Sequence, residues 1–180
     1  EEKKIYATDV VFAGHYESDG RSDIIKNLIR DDIKFKLFGP GWDEFAKNDS
    51  ILSRLVPIKQ LNSYDYNKAI NGAKIALCVY STLNLDVYTR RCFEIPATKT
   101  LMIAKRTNEI RSFFKEDSEA VYFEDYSELI MKIKYYLKNV EEREEISRNG
   151  LKRSLIGKYD VNGRASEIIN WINEYKAYLL

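Results

Sequence analysis

The strongest constraint on the fold is a series of short apolar runs separated by helix-patterned segments. Val10-Val11-Phe12-Ala13 (within a strand spanning Asp9 to Tyr16), Phe35–Phe38, Ile75–Tyr80, Thr100–Ala104 and Ala120–Phe123 all have strand length, and only Lys36 breaks them with a charge. Continuous apolar runs of this kind are how strands buried on both faces read. Pro57-Ile58 supplies a candidate for one further strand, third in chain order. The segments between have helical period. One runs from Ser22-Asp23 to Arg30 with Ile24, Ile25, Leu28 and Ile29 on its apolar face. Another, Tyr64 to Asn71, is capped by Ser63 and stopped by Gly72, and a third follows a Ser127 cap with Leu129, Ile130, Ile133 and Leu137 on one side. Strand–helix alternation without repeats predicts an α/β protein with a parallel sheet of about six strands flanked by helices.

The remaining segments are less strongly patterned. Asp43 to Leu55 reads as a short helix at most, and Asn108 to Phe114 as another. Glu141 to Glu145 is acidic near a helix start, where the dipole favours it. Gly150 is expected to end or interrupt that helix. A final helix from about Asp160 carries Ile168, Trp171, Ile172 and Tyr175 at helical spacing, and these are expected to pack on the domain itself. Tyr178, Leu179 and Leu180 lie beyond that stripe and are expected to be exposed or covered at an interface.

With 180 residues the chain reads as one domain, 1–180, able to bury on the order of 70% of its unfolded surface. It begins Glu1-Glu2-Lys3-Lys4 without Met and is expected to be a piece of a longer protein. Twenty-nine basic and 28 acidic residues leave a net charge of +1, which argues against a broad nucleic-acid or anionic-membrane surface but not against a local phosphate site. The 13 tyrosines are scattered rather than interleaved with basic residues, so a platform for single-stranded nucleic acid is not expected. Cys78 and Cys92 lack metal spacing and read as free thiols of a reducing compartment. No transmembrane run or signal peptide is present, and a cytoplasmic location is expected.

Function concentrates in Asp86 to Ala104, which joins the run ending at Tyr80 to the run starting at Thr100. In an open parallel sheet such a strand-to-helix corner lies at the C-terminal strand edge, where ligands bind. Arg90 and Arg91 there suit a phosphate, and Glu94 suits sugar hydroxyls, so the combination points to a sugar nucleotide. Bland readings are available too: Asp86 suits a helix N-cap, and Arg90 with Glu94 has the spacing of a surface ion pair. At the first corner, Gly14 and Gly20 are too far apart for a dinucleotide fingerprint, but the loop can admit a phosphate. Arg21 is either a phosphate contact or a solvated helix-start charge. His15, the only histidine, either hydrogen-bonds locally or touches the ligand. Trp42 reads as a packed cover rather than a ligand platform. No cluster of His and carboxylates has metal spacing.

Thr89-Arg90-Arg91-Cys92-Phe93-Glu94-Ile95-Pro96-Ala97 resembles the signature of the CgeB-like glycosyltransferases, a group similar to the C-terminal half of group 1 glycosyltransferases with the GT-B fold. Val11–Gly14, Phe38–Trp42, Asn71–Ile75, Phe113-Phe114 and the Tyr159…Arg164 ending follow the same order. The resemblance implies a Rossmann-like domain with a helical C-terminal region, binding a nucleotide-diphosphate sugar as donor without a metal cofactor. It implies Glu94 at the ribose and places Asp86 eight residues earlier, near the sugar, as the candidate catalytic carboxylate. Gly14, His15, Arg21, Arg90, Arg91 and Glu94 are then the candidate substrate-binding residues. In the resembled fold the segment after the third strand lines the base pocket; here it is Lys59-Gln60-Leu61, to which no firm role attaches. An N-terminal acceptor-binding domain is the implied partner. Thr98-Lys99 stands where the family has Cys-Gly, and together with the absence of an acceptor half from these residues it keeps a second reading open: a degenerate, non-catalytic binding or scaffold module. A sugar-nucleotide epimerase on a similar fold is a third, without placeable catalytic residues.

Overall fold

The computed structural model describes residues 5–177. Its five strands are β1 (Thr8–Ala13), β2 (Phe35–Phe38), β3 (Ala73–Cys78), β4 (Leu101–Lys105) and β5 (Val121–Phe123). They form one parallel sheet in the order β2-β1-β3-β4-β5. Alternate residues of each strand face opposite layers, which is why the runs are apolar throughout. Val10, Phe12, Ile75, Leu77, Leu101 and Ile103 point into one core, shared with helices α1 (Arg21–Arg30), α2 (Trp42–Lys47) and α6 (Tyr126–Lys138). Val11, Ala13, Ala76, Cys78, Met102 and Ala104 point into the other, closed by α3 (Ser63–Asn71), α4 (Arg91–Ala97) and α5 (Asn108–Phe113).

The sheet has five strands rather than about six because Pro57-Ile58 does not join it. Pro57 has no N–H to give a ladder, and the Ile58 amide donates instead to Asp43 Oδ1 at 2.8 Å. One bond, Gly39 N to Lys59 O at 3.0 Å, ties this segment to the end of β2. Asp43 to Leu55 contains α2 and a 3-10 turn at Leu52–Leu55. Two caps fall earlier than expected: Asn62 Oδ1 accepts from Asp65 N at 2.8 Å, and Asp125 Oδ1 accepts from Glu128 N at 2.9 Å, in place of Ser63 and Ser127. Asp86 caps nothing, since α4 starts at Arg91 with Arg90 before it.

Helix α7 (Val140–Ile156) runs through Gly150 without a break. A Cβ there would meet Glu119 O at 2.6 Å, so the glycine serves close packing rather than termination. After α4, Lys99 takes the left-handed conformation (φ 60°), so the turn that a glycine makes without strain is made here by a lysine. Tyr159 packs against Phe93, Phe113 and Phe114, and Arg164 lies over its ring at 5.2 Å. Beyond this anchor α8 (Val161–Ala177) is exposed along almost its whole described length. Ile168, Trp171, Ile172 and Tyr175 are 41–65% exposed, so the expected packing on the domain is not made. Tyr178, Leu179 and Leu180 lie outside the described residues. Among the described residues no helix is long and apolar enough to cross a membrane.

Candidate functional site

The order β2-β1-β3 makes the chain leave β1 in one direction and return on its other side. This switch point is where an open α/β sheet forms a crevice at its C-terminal edge. A cleft of about 660 Å³ opens there, within the size range of small-molecule sites. Gly14 and His15 line it from the end of β1, Gly39 and Pro40 from the end of β2, Gln60 and Leu61 from the following segment, Tyr66 and Asn67 from α3, and Arg90, Arg91 and Glu94 from the start of α4. Five of the residues singled out by sequence thus share one cavity. A groove of about 870 Å³ adjoins it along α3 and α4 and shares Asn67 and Glu94.

Arg91 is held from three sides. Its Nη2 donates to Val79 O at 2.9 Å, its guanidinium lies 5.7 Å from the Phe12 ring centroid, and Gly14 leaves it room. A Cβ on Gly14 would come within 2.7 Å of Arg91 Nη1. Gly39 (φ 138°) is equally tight: its Cβ would fall 2.0 Å from Gly14 O. Trp42, fully buried, donates from Nε1 to that same Gly14 oxygen at 2.8 Å and is a structural cover, as expected. Arg90 is 89% exposed at the rim and meets Glu94 Oε1 through Nε at 2.7 Å. Helix α4 has only seven residues, so the positive charge at this corner comes mainly from the two arginines rather than from aligned peptide dipoles.

Arg21 lies elsewhere. It is 1% exposed, and its Nε and Nη2 grip Asp19 at 2.7 and 2.6 Å while Nη1 donates to His15 O at 2.7 Å. Burial works against ionisation of Asp19, but the Arg21 hydrogen bonds outweigh it and hold the carboxyl below its usual range. Glu17 is similar: burial opposes, yet the Ser81 hydrogen bond and the Arg21 charge keep it low. Its carboxylate also pairs with the half-exposed His15 ring. This network fixes the loop after β1, and Arg21 does not line the cleft. Asp86 is exposed and lines, with Arg21, Ser81, Lys105 and Arg106, a separate cavity of about 520 Å³. The structure therefore does not bring Asp86 and Glu94 into one cavity.

The sequence reading missed Tyr66, Asn67 and Gly39 and attached no role to Gln60 or Leu61. Their contributions depend on long-range packing of α3 and of the segment after β2. The Phe38-Gly39-Pro40-Gly41 turn was the one local signal for the β2 side.

The sequence profile of the glycosyl transferase-like family matches residues 21–170. The chain belongs to that family. No curated protein matches it. Among solved structures, the C-terminal domain of the glycosyl transferase group 1 family protein LpcC from Francisella tularensis is similar at 15% identity and TM-score 0.66, with 89% of this chain and 91% of that one covered. Sucrose-phosphate synthase from Thermosynechococcus elongatus aligns at 12% identity and TM-score 0.71, over 96% of this chain and 46% of that chain. Anabaena HepE, solved in complex with UDP and glucose, aligns at 11% identity and TM-score 0.74, over 94% and 49%. At these identities the likeness is one of fold, that of the group 1 glycosyltransferase C-terminal domain. This chain spans about half the length of the last two.

Proposed function

We propose that the chain is the donor-binding half of a GT-B glycosyltransferase that transfers a sugar from a nucleotide-diphosphate donor to a glycan or other acceptor. The observation that carries this reading is the pairing of Arg91 and Glu94, three residues apart on α4, inside the switch-point cleft with the bare Gly14 backbone opposite. Arg91, joined by the exposed rim charge of Arg90, neutralises the diphosphate and lowers the cost of its departure as leaving group. Glu94 accepts from the ribose hydroxyls, and the base lies toward Gln60 and Leu61. Arg21 acts one step removed, by holding the loop that carries Gly14 and His15. The UDP and UDP-glucose complexes of the similarly folded Anabaena protein support a uridine nucleotide as first probe. The acceptor site belongs to an N-terminal partner domain, so the isolated chain binds donor and transfers little.

Calorimetric titration with UDP, ADP and GDP tests the proposal. Saturable binding of one of them is expected. The separation of Asp86 from Glu94 favours a second reading, a scaffold of the same fold that has lost catalysis. That reading predicts no heat with any nucleotide.

A further inference from the structure

Among the described residues, two buried side-chain polar atoms have no hydrogen-bond partner: the Tyr66 hydroxyl and Arg91 Nε. Both residues line the switch-point cleft. An unpaired buried donor is costly, so two lining one cavity call for a reason. Tyr66, on α3, lies within electrostatic reach of Glu94 and Arg91 on α4. Burial first, and the Glu94 carboxylate second, push the phenol far above its usual pKa, so it stays a neutral O–H donor throughout the working pH range.

Glu94 is partly exposed in the cleft. Its Oε1 is engaged by Arg90, whose side chain is almost wholly in solvent, and its carboxylate lies beside the Tyr66 hydroxyl, close enough to act on it as a hydrogen-bond acceptor but short of good hydrogen-bond geometry. A carboxylate has about four acceptor sites, so one partner at the rim leaves most of them uncommitted. A carboxylate that must accept from a ribose diol needs a fixed plane, and a flexible surface arginine does not supply one.

Given the reading of the cleft as a nucleotide-diphosphate site, we propose that Tyr66 is the positioning residue that locks Glu94 for ribose recognition and so makes the cleft select ribonucleotides over 2′-deoxyribonucleotides. When the diphosphate enters, Arg90 turns to it. Glu94, released from Arg90, completes the Tyr66 hydrogen bond with one oxygen and presents the other to the diol. The orphan phenol of the free state is satisfied by this move, and its desolvation has already been met on folding.

The test compares wild type with Tyr66→Phe, which keeps the ring and removes the hydroxyl. The probes are whichever of UDP, ADP and GDP the wild type binds best, its 2′-deoxy counterpart and inorganic pyrophosphate. Wild type is expected to prefer the ribonucleotide about tenfold, the worth of one hydrogen bond to a charged acceptor. Tyr66→Phe is expected to lose that preference to within about twofold, while its affinities for the deoxy form and pyrophosphate stay near wild type. A preserved ribose preference in Tyr66→Phe overturns the proposal, and so does an equal loss for all three probes, which marks a merely structural residue. If wild type binds none of the probes, the nucleotide reading of the cleft falls first and this proposal with it. Glu94→Gln supplies an independent arm, because it too is expected to abolish the ribose preference without lowering pyrophosphate affinity.

Discussion

Gly14→Ala is the smallest change that strikes the cleft through its geometry. The added methyl would stand 2.7 Å from Arg91 Nη1, 3.1 Å from Arg91 Cζ and 3.0 Å from Phe12 Cζ. Phe12 is packed between the sheet and Trp42 and has nowhere to go. Arg91 must therefore retreat by roughly 0.8 Å to restore an ordinary contact of ~3.5 Å. That retreat breaks the 2.9 Å bond from Nη2 to Val79 O, which aims the guanidinium. A hydrogen bond to a charged group is worth about 1.5–3 kcal/mol, so affinity for a nucleoside diphosphate should fall about 10- to 150-fold. Affinity for the parent nucleoside should change by less than about threefold, since the base and ribose contacts are assigned to Gln60, Leu61 and Glu94 rather than to Arg91. Calorimetry with both ligands reads the difference. The reasoning is refuted if nucleoside and diphosphate lose affinity equally, or if Gly14→Ala still weakens binding as strongly in an Arg91→Ala background.

Three further outcomes follow from particular contacts. Glu94→Ala should weaken nucleotide binding by about 1.5–3 kcal/mol while leaving ribose-free diphosphate nearly unchanged, and equal losses by titration would make Glu94 a residue of the fold instead. Lys99→Gly should stabilise the chain by up to about 1 kcal/mol in denaturant unfolding, because it relieves the left-handed lysine; a loss of stability would show that this turn is not strained. Glu128, held by hydrogen bonds from Arg106 and Lys132 against an opposing burial effect, has its pKa lowered to about 2 from 4.5. A depressed carboxyl contributes stability that is full above pH ~4.5 and lost as pH falls toward ~2, here on the order of 1–2 kcal/mol given its partial exposure. Glu128→Gln should flatten that acid limb, and an unchanged limb would contradict the assignment.

The sheet was legible because both its faces are buried: apolar runs without alternation leave a strand little choice but the middle of an α/β sandwich. Pro57-Ile58 failed as a strand because apolarity says nothing about where its backbone donors go, and the Ile58 amide goes to Asp43 instead. Arg91 and Glu94 were legible because local helical spacing and the corner position decide their placement. Arg21 was not, although Asp19 two residues before it held the clue: a carboxylate that close can grip the guanidinium before any ligand does. Tyr66 gave no local signal, since its place depends on how α3 crosses toward α4. The stripe on α8 was read as core because helical periodicity reports an apolar face without naming what covers it.

The most direct test of the cleft assignment is amide chemical-shift mapping of the wild-type chain during titration with the nucleotide it binds best. The account predicts saturable shifts clustered at Gly14, His15, Gly39, Gln60, Leu61 and Arg91 to Glu94, with little change near Lys105 and Arg106. Shifts centred on the Asp86 cavity or on α8, with the switch-point residues silent, would contradict it.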